Sequence, residues 1–217
     1  MKSISVVLAK VDKEKFDLIK SNENLALVRL KDIFIESIYE VIVNKISYDI
    51  KEIKVKNTAF IDEHGEVRTY LRGGTLGREV YKVHNKTVLE KSIYDENFME
   101  VDSEIEKETI NESIHKHITV FGKLPSVKIP TPHGKSYSPD FAYVIDNGTE
   151  KELCLVVETK GYDSFLDIGV HERLKIKSAE IFFETIKEKK GVNVLFKTKI
   201  NKDELSQMIG EIQRLLP

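Results

Sequence analysis

Tryptophan is absent from this 217-residue chain, cysteine occurs once and proline five times. A single cysteine excludes an intramolecular disulfide, so packing and polar pairing must hold the fold, and a reducing cytoplasm is the expected compartment. Cys154 lies inside the apolar run "LCLVV", where the expected role is a small buried hydrophobe rather than a nucleophile. No apolar run approaches the ~20 residues that a membrane span requires. The opening "MKSISVVLAK" is too short and polar for a secretion signal. Positive charge is not in excess either. A formal net charge of -2 excludes a protein that grips nucleic acid by bulk electrostatics, so any role on DNA must rest on a local site or on affinity supplied by a larger assembly. Internal repeats, low-complexity tracts and ATP-binding motifs are missing too. The one glycine-rich stretch, "RGGTLGRE", lacks the Gly-Lys-Ser/Thr ending of a nucleotide-binding loop and reads as a turn.

What is present describes a soluble globular protein, with 41% apolar and 32% charged residues and enough length for one or two domains. "ISVVLAK" reads as a strand and "DKEKFDLIK" as a short helix. Leu30, Ile33, Phe34, Ile38, Val41 and Ile42 recur at helical spacing, which predicts an amphipathic helix from about Leu30 to Lys45. "IKEIKVKNTAFID" alternates as a half-buried strand does, and "DEHG" turns it into "EVRTYL". The polar stretch from Asn85 to Glu100 divides the chain into an N-terminal α+β segment, 1–95, and a more orderly region, 96–217.

In that region "VDSEIEKETINESIHKHI" reads as a helix capped by Asp102 or Ser103. "VKIP" reads as a short strand stopped by Pro130, "TPHGKSYSP" as a loop, and "DFAYVID" and "LCLVVETKG" as strands joined by "NGTEKE". A long helix from about His171 to Lys190 ends at Gly191, followed by the strand "VNVLFKTKI" and a last helix with Leu205, Met208, Ile209, Ile212 and Leu216 on one face. This order predicts an α/β unit in which a hairpin leads through a crossover helix to a parallel strand.

The second hairpin strand ends unusually, in Glu158 and Lys160. Side chains alternate along a strand, so these two point the same way. Antiparallel pairing of "DFAYVID" with "LCLVVETKG" places Asp140 beside them. Two carboxylates held so close repel unless one is protonated or a cation neutralises them. Mg2+ suits such a pair, because it accepts one or two carboxylates and completes its shell with waters and phosphate oxygens. With a phosphodiester in place the arrangement is that of a hydrolytic nuclease, Lys160 orienting the attacking water or offsetting transition-state charge. The plainer reading is a solvated strand end, with Asp140 capping a turn after Pro139.

Pro139-Asp140 and Glu158-Thr159-Lys160 match the pattern of the PD-(D/E)xK nuclease superfamily. The order of "YDENFMEVDSEIEKETI", "VFGKLPSVKIPTP", "YSPDFAYVI", "LVVETKG" and "KIKSAEIFFETI" resembles the C-terminal endonuclease domain of the Res subunit of type III restriction-modification enzymes, over about Ile93 to Ile200. "FIDEHGEVR" and "GTLGRE" resemble the segment just before that domain. The resemblance implies an α/β fold with a restriction-endonuclease-like core, a central mixed sheet flanked by helices, preceded by a smaller α+β segment. It implies an Mg2+-dependent DNA endonuclease, with Mn2+ as substitute, working beside an ATP-driven translocase portion and a modification methyltransferase subunit. The alternative is a non-catalytic DNA-binding or subunit-docking domain of the same fold.

Carried over by residue, the resemblance makes Asp140 and Glu158 metal ligands, the Thr159 carbonyl a further ligand and Lys160 the catalytic lysine. Glu106 is the candidate for an additional acid from the first core helix, with Glu104 as alternate. Ser103-X-X-Glu106 is equally a capping box. The chain departs from the family at Ile168-Gly169, where a Leu-Arg pair is usual. Glu172 and Lys175 retain the rest of that pattern, and Arg173 or Lys175 is left to supply the phosphate contact. His115 and His117, two residues apart on a predicted helix and without a cysteine pair, do not make a zinc site.

Overall fold

The computed structural model describes residues 12–51, 61–68, 79–94, 97–124, 127–132, 134–146 and 153–215. The expected strand "ISVVLAK", most of "IKEIKVKNTAFID", most of "RGGTLGRE" and the "NGTEKE" turn lie outside them. The chain divides into two compact units, Met1–Lys45 and Ile46–Pro217. The first contains helices α1 (Lys13–Ser21) and α2 (Glu23–Val43). The latter begins at Glu23 rather than near Leu30, its first turn carrying an acidic residue suited to the positive end of a helix. Leu25, Ile33, Phe34, Ile38 and Val41 on it are each at least half exposed.

The second unit is built on a mixed sheet flanked by helices. A hairpin-like turn at its start, with Gly65 at φ 90°, is closed by Asp62 Oδ1 accepting from the amides of His64 and Glu66. Strand β1 (Glu79–Lys82) pairs antiparallel with β2 (Phe98–Val101), and the short helix α3 (Lys86–Lys91) between them is capped by Asn85. The expected division after residue 95 falls inside this unit, where Val83, Val88 and Tyr94 share one core with Met99 and the sheet.

The sheet itself comprises β3 (Ile118–Lys123), β6 (Phe141–Ile145), β7 (Leu153–Lys160) and β8 (Val194–Ile200), in that order. β6 is antiparallel to β3 and β7, whereas β7 and β8 are parallel. Helix α5 (Val170–Lys190) makes the crossover and ends at Gly191 in the left-handed region, φ 65°. Alternation along β6 and β7 sends Phe141, Tyr143, Leu155 and Val157 to one face, against Ile110 of helix α4 (Glu104–Glu112) and Leu205, Ile209 and Ile212 of helix α6 (Leu205–Leu215). Val156 on the other face meets Ala179 and Phe183 of α5, the latter stacked on Phe196 at 5.6 Å.

The structure corrects the expected helix over residues 101–118. It stops at Glu112, and "ITVFGK" forms the edge strand β3. Ser113 turns its hydroxyl back to the Thr109 carbonyl, and the β-branched and aromatic residues that follow suit a pleated surface. β3, not "VKIP", is therefore the neighbour of β6. "VKIP" instead supplies β4 (Ile129–Pro130), paired with β5 (Ser136–Tyr137) inside the expected loop. β3 also explains the glycine in "VFGK". A Cβ on Gly122 would sit 2.2 Å from Ile93 Cδ1, and the Ile93 amide donates to the Phe121 carbonyl, so the chain after α3 lies directly on the strand.

Candidate active site at one end of the sheet

Phe141 pairs with Val157, so Asp140 enters the sheet beside the last three residues of β7. Its Oδ2 accepts from the Thr159 amide at 2.7 Å and the Thr159 hydroxyl at 2.6 Å, and its carbonyl accepts from the Leu124 amide. Asp140 thus ties together the ends of three strands. Burial pushes its carboxyl up, against the two Thr159 bonds that lower it, and the charge of Glu106 pushes it further.

Glu158 and Lys160 leave β7 on the α5 face, and Thr159 on the other. Lys160 Nζ lies 2.7 Å from Glu158 Oε1 and 2.7 Å from Glu172 Oε2 in the first turn of α5. Glu172 Oε1 is paired in turn with Lys175. Glu158 is 3% exposed, and its buried Oε2 has no hydrogen-bond partner among the described residues. Burial, and then the Asp140 charge, push its carboxyl up to about 7 despite Lys160. Burial works against the charge on Lys160, but Glu158 and Glu172 outweigh it and hold the ammonium well above its ordinary range. Burial would raise Glu172, but hydrogen bonds from Lys160 and Lys175 hold it low. The Tyr137 phenol, raised by burial and by Glu158, faces that carboxylate and lowers it in turn, although among the described residues neither the phenol oxygen nor Glu158 Oε2 reaches a partner in full hydrogen-bond geometry.

Glu106 approaches the same end from the opposite face. Its Oε2 accepts from the Asp102 amide at 2.9 Å and from Lys123 Nζ at 2.7 Å. It reaches back past the N-cap to the Asp102 amide, and Ser103 makes no side-chain capping bond, so the capping box expected from Ser103-X-X-Glu106 is not formed. The backbone contact and the ion pair share one oxygen, within electrostatic reach of Asp140. Glu104 points outward to Lys107, its side chain 79% exposed. Ile114 and His117 lie past the end of the helix, and Ile114 is 48% exposed. His115 and His117 occupy that turn with ring centroids 5.5 Å apart.

Lys123, 4% exposed, is the residue that sequence reasoning missed. The signal was a charge ending an apolar run in "VFGK", the same feature that marks Glu-Thr-Lys. Where the resemblance leads one to expect a Leu-Arg pair, Ile168 is a buried plug, 1% exposed. Lys175 is committed to Glu172, whereas Arg173 lines a separate groove of about 620 Å³ between α5, β8 and α6, with Ile176, Lys177 and Phe196.

Among the described residues no cluster of three or more His, Cys, Asp or Glu is grouped to hold a metal ion. The two acids Asp140 and Glu158, one with an orphaned buried oxygen, nevertheless fit an ion that takes the rest of its shell from water and phosphate.

A mixed sheet with a hairpin that brings Pro-Asp beside Glu-X-Lys defines a restriction-endonuclease-like domain. A family model described as an endonuclease domain matches residues 90–203, and the chain belongs to that family. It is 33% identical over 170 residues to the type III restriction-modification enzyme EcoPI Res subunit of Escherichia phage P1, and 32% identical over 170 residues to the EcoP15I Res subunit of Escherichia coli. Each alignment covers 76% of this chain and 17% of the relative, so the chain spans about a sixth of their length. No solved structure matches it.

Proposed function

We propose that the chain is the DNA-cleaving part of a type III-like restriction complex, hydrolysing phosphodiester bonds with Mg2+, or Mn2+ in its place. Residues 96–217 form its nuclease core. The observation that carries this reading is the meeting of Asp140, Glu158 and Lys160 at one end of the sheet, with a buried Glu158 oxygen left unsatisfied. A polar group buried without a partner is costly, and functional sites are where such groups persist.

In this reading Asp140 and Glu158 hold the ion, with the Thr159 carbonyl as a further ligand. The ion supplies Lewis acidity toward the phosphate and acidifies a water. With such an ion bound, hydrolysis would exchange the bond from phosphorus to the leaving oxygen for one to a water oxygen, the proton given up by that water ending on the leaving oxygen. Lys160, whose ammonium offers three donors, orients the attacking water or offsets the charge that builds on the phosphoryl oxygens. Glu106 shapes the field at Asp140 from the other face. The Res-subunit relatives suggest the partners: DNA, a translocase portion and a modification methyltransferase subunit, acting in the cytoplasm. The net charge of -2 suits a cleavage module whose grip on DNA comes from those parts.

Nicking of supercoiled plasmid by the 217-residue chain, with Mg2+ or Mn2+ against EDTA, tests the proposal. Cleavage that needs the ion and is abolished in Lys160→Ala supports it. Equal nicking by both proteins, or none under any ion, leaves a docking or binding role for the same fold.

A further inference from the structure

Lys160 has two anchors, not one. Two of its N–H donors are spent on Glu158 and Glu172, both at 2.7 Å. Nothing in the spacing links Lys160 to a residue twelve positions later; the connection is made by the loop between them. The Tyr162 amide turns back to the Lys160 carbonyl, and a 3-10 turn over Phe165–Asp167 is capped by Ser164. Ile168 then plugs the core, so α5 starts at the end of β7 with Glu172 in its first turn. Lys175 takes the other oxygen of Glu172 and so fixes which one faces Lys160. The side chains of Lys160 and Glu172 are 18% and 28% exposed, which separates this contact from the surface pairs that contribute little.

The second anchor matters because Glu158 faces conflicting demands once the nuclease reading above is accepted, and the consequence drawn here rests on that reading. A divalent cation held by Glu158 competes with the ammonium for the same carboxylate and repels it. A lysine tied to Glu158 alone would swing away as the ion arrives. The geometry points to Glu172 as the positioning residue that keeps Lys160 at the strand end when Glu158 turns to its cation. Lys175 holds Glu172 in register for that task.

The slowly exchanging lysine ammonium signals in a 1H–15N spectrum test the anchor without requiring cleavage, with the Lys160 signal assigned by its loss in Lys160→Arg. Glu158→Ala keeps the Lys160 signal and the double variant Glu158→Ala/Glu172→Ala loses it; Glu158→Gln replaces the alanine should that variant fail to fold. A signal lost in the single Glu158 variant, or surviving in the double one, overturns the inference. In plasmid nicking, Glu172→Ala lowers kcat about 10- to 100-fold while the KM for DNA and the Mg2+ concentration for half-maximal rate stay within twofold. A lower melting temperature with unchanged kcat per folded molecule marks a merely structural role and also overturns it. A wild type that never nicks defeats the nuclease reading instead, and the ammonium signals still decide the anchor.

Discussion

The sheet end carries two carboxylate–lysine pairs of equal contact distance and unequal character. Glu106–Lys123 and Glu158–Lys160 both meet at 2.7 Å, yet the first pair is 5% exposed on both sides while Lys160 is 18% exposed. The Glu106 oxygen that meets Lys123 also takes the Asp102 amide, and Lys123 adds longer contacts to the Glu100 carbonyl and Asp102. The Glu158 pair leaves one oxygen with the Tyr137 phenol beside it but no partner in full hydrogen-bond geometry among the described residues, and opens through Glu172 to Lys175. Identical chemistry thus yields a closed structural clamp on the α4 face and a more open arrangement on the α5 face. The difference lies in what surrounds each pair.

Breaking the clamp should have the largest effect. Lys123→Met leaves Glu106 charged in a dry site, and removing one partner of a buried pair costs about 3–5 kcal/mol. Denaturant unfolding of the variant should show that loss, and Glu106→Gln on top of it should restore a large part, since the amide still accepts from Asp102 while the stranded charge is gone. A loss below about 1 kcal/mol would erase the distinction between the two pairs.

The matching change on the other face, Lys160→Ala, should reverse the pattern. Catalysis falls by about 10²–10³-fold or more, as for loss of a preorganised transition-state donor. Stability changes far less than in Lys123→Met, because Glu158 is already raised to about 7 and relieves its charge by taking a proton. Parallel melts of the two lysine variants make the comparison directly.

Much of this end was legible in the sequence. The β6–β7 hairpin follows from period-two alternation on both sides of a polar turn, and alternation alone puts Glu158 and Lys160 on one face. Gly191 marked the end of α5, and its left-handed backbone bears that out. β3 was not legible, because Ile110, Ile114 and Ile118 continue a helical spacing across the point where Ser113 stops the helix. Losing β3 hid Lys123, whose meaning depends on which strand lies beside Asp140. The Lys160–Glu172 contact was hidden for a related reason, since a loop path sets it and no periodicity records that path.

The pH dependence of stability should sharpen the contrast by on the order of 1–3 kcal/mol. Glu158 titrates near 7 in the fold against an ordinary 4.5, so the folded state binds the proton more tightly than the unfolded state. Its contribution is fully present below about 4.5 and is lost as pH rises through about 7. Metal-free unfolding measured from pH 4.5 to 8 should show this loss superimposed on the other carboxylates, and Glu158→Gln should flatten it. Stabilisation by Mg2+ should run the opposite way and grow through pH 7, because the ion requires the deprotonated carboxylate. A wild type and Glu158→Gln with identical pH profiles would contradict the assignment.

The smallest effect is expected at Asp140, where two influences nearly cancel. Asp140→Asn removes a charge that Glu158 and Glu106 both disfavour, and the amide oxygen can still accept from the Thr159 amide and hydroxyl at the strand junction. Relief of repulsion should stabilise the metal-free protein by about 0.5 kcal/mol, near the scale of a single weak charge pair. The Glu158 carboxyl should then titrate below about 7, shifting the pH profile toward acid. The same change removes half of the proposed ligand pair, so the rise in melting temperature with millimolar Mg2+ should largely vanish. A short duplex added to the titration separates a site that needs DNA phosphate from one whose carboxylates do not cooperate. Should the wild type remain indifferent to Mg2+ even with duplex present, the metal-dependent reading of Asp140 and Glu158 fails, and the orphaned Glu158 oxygen needs another explanation.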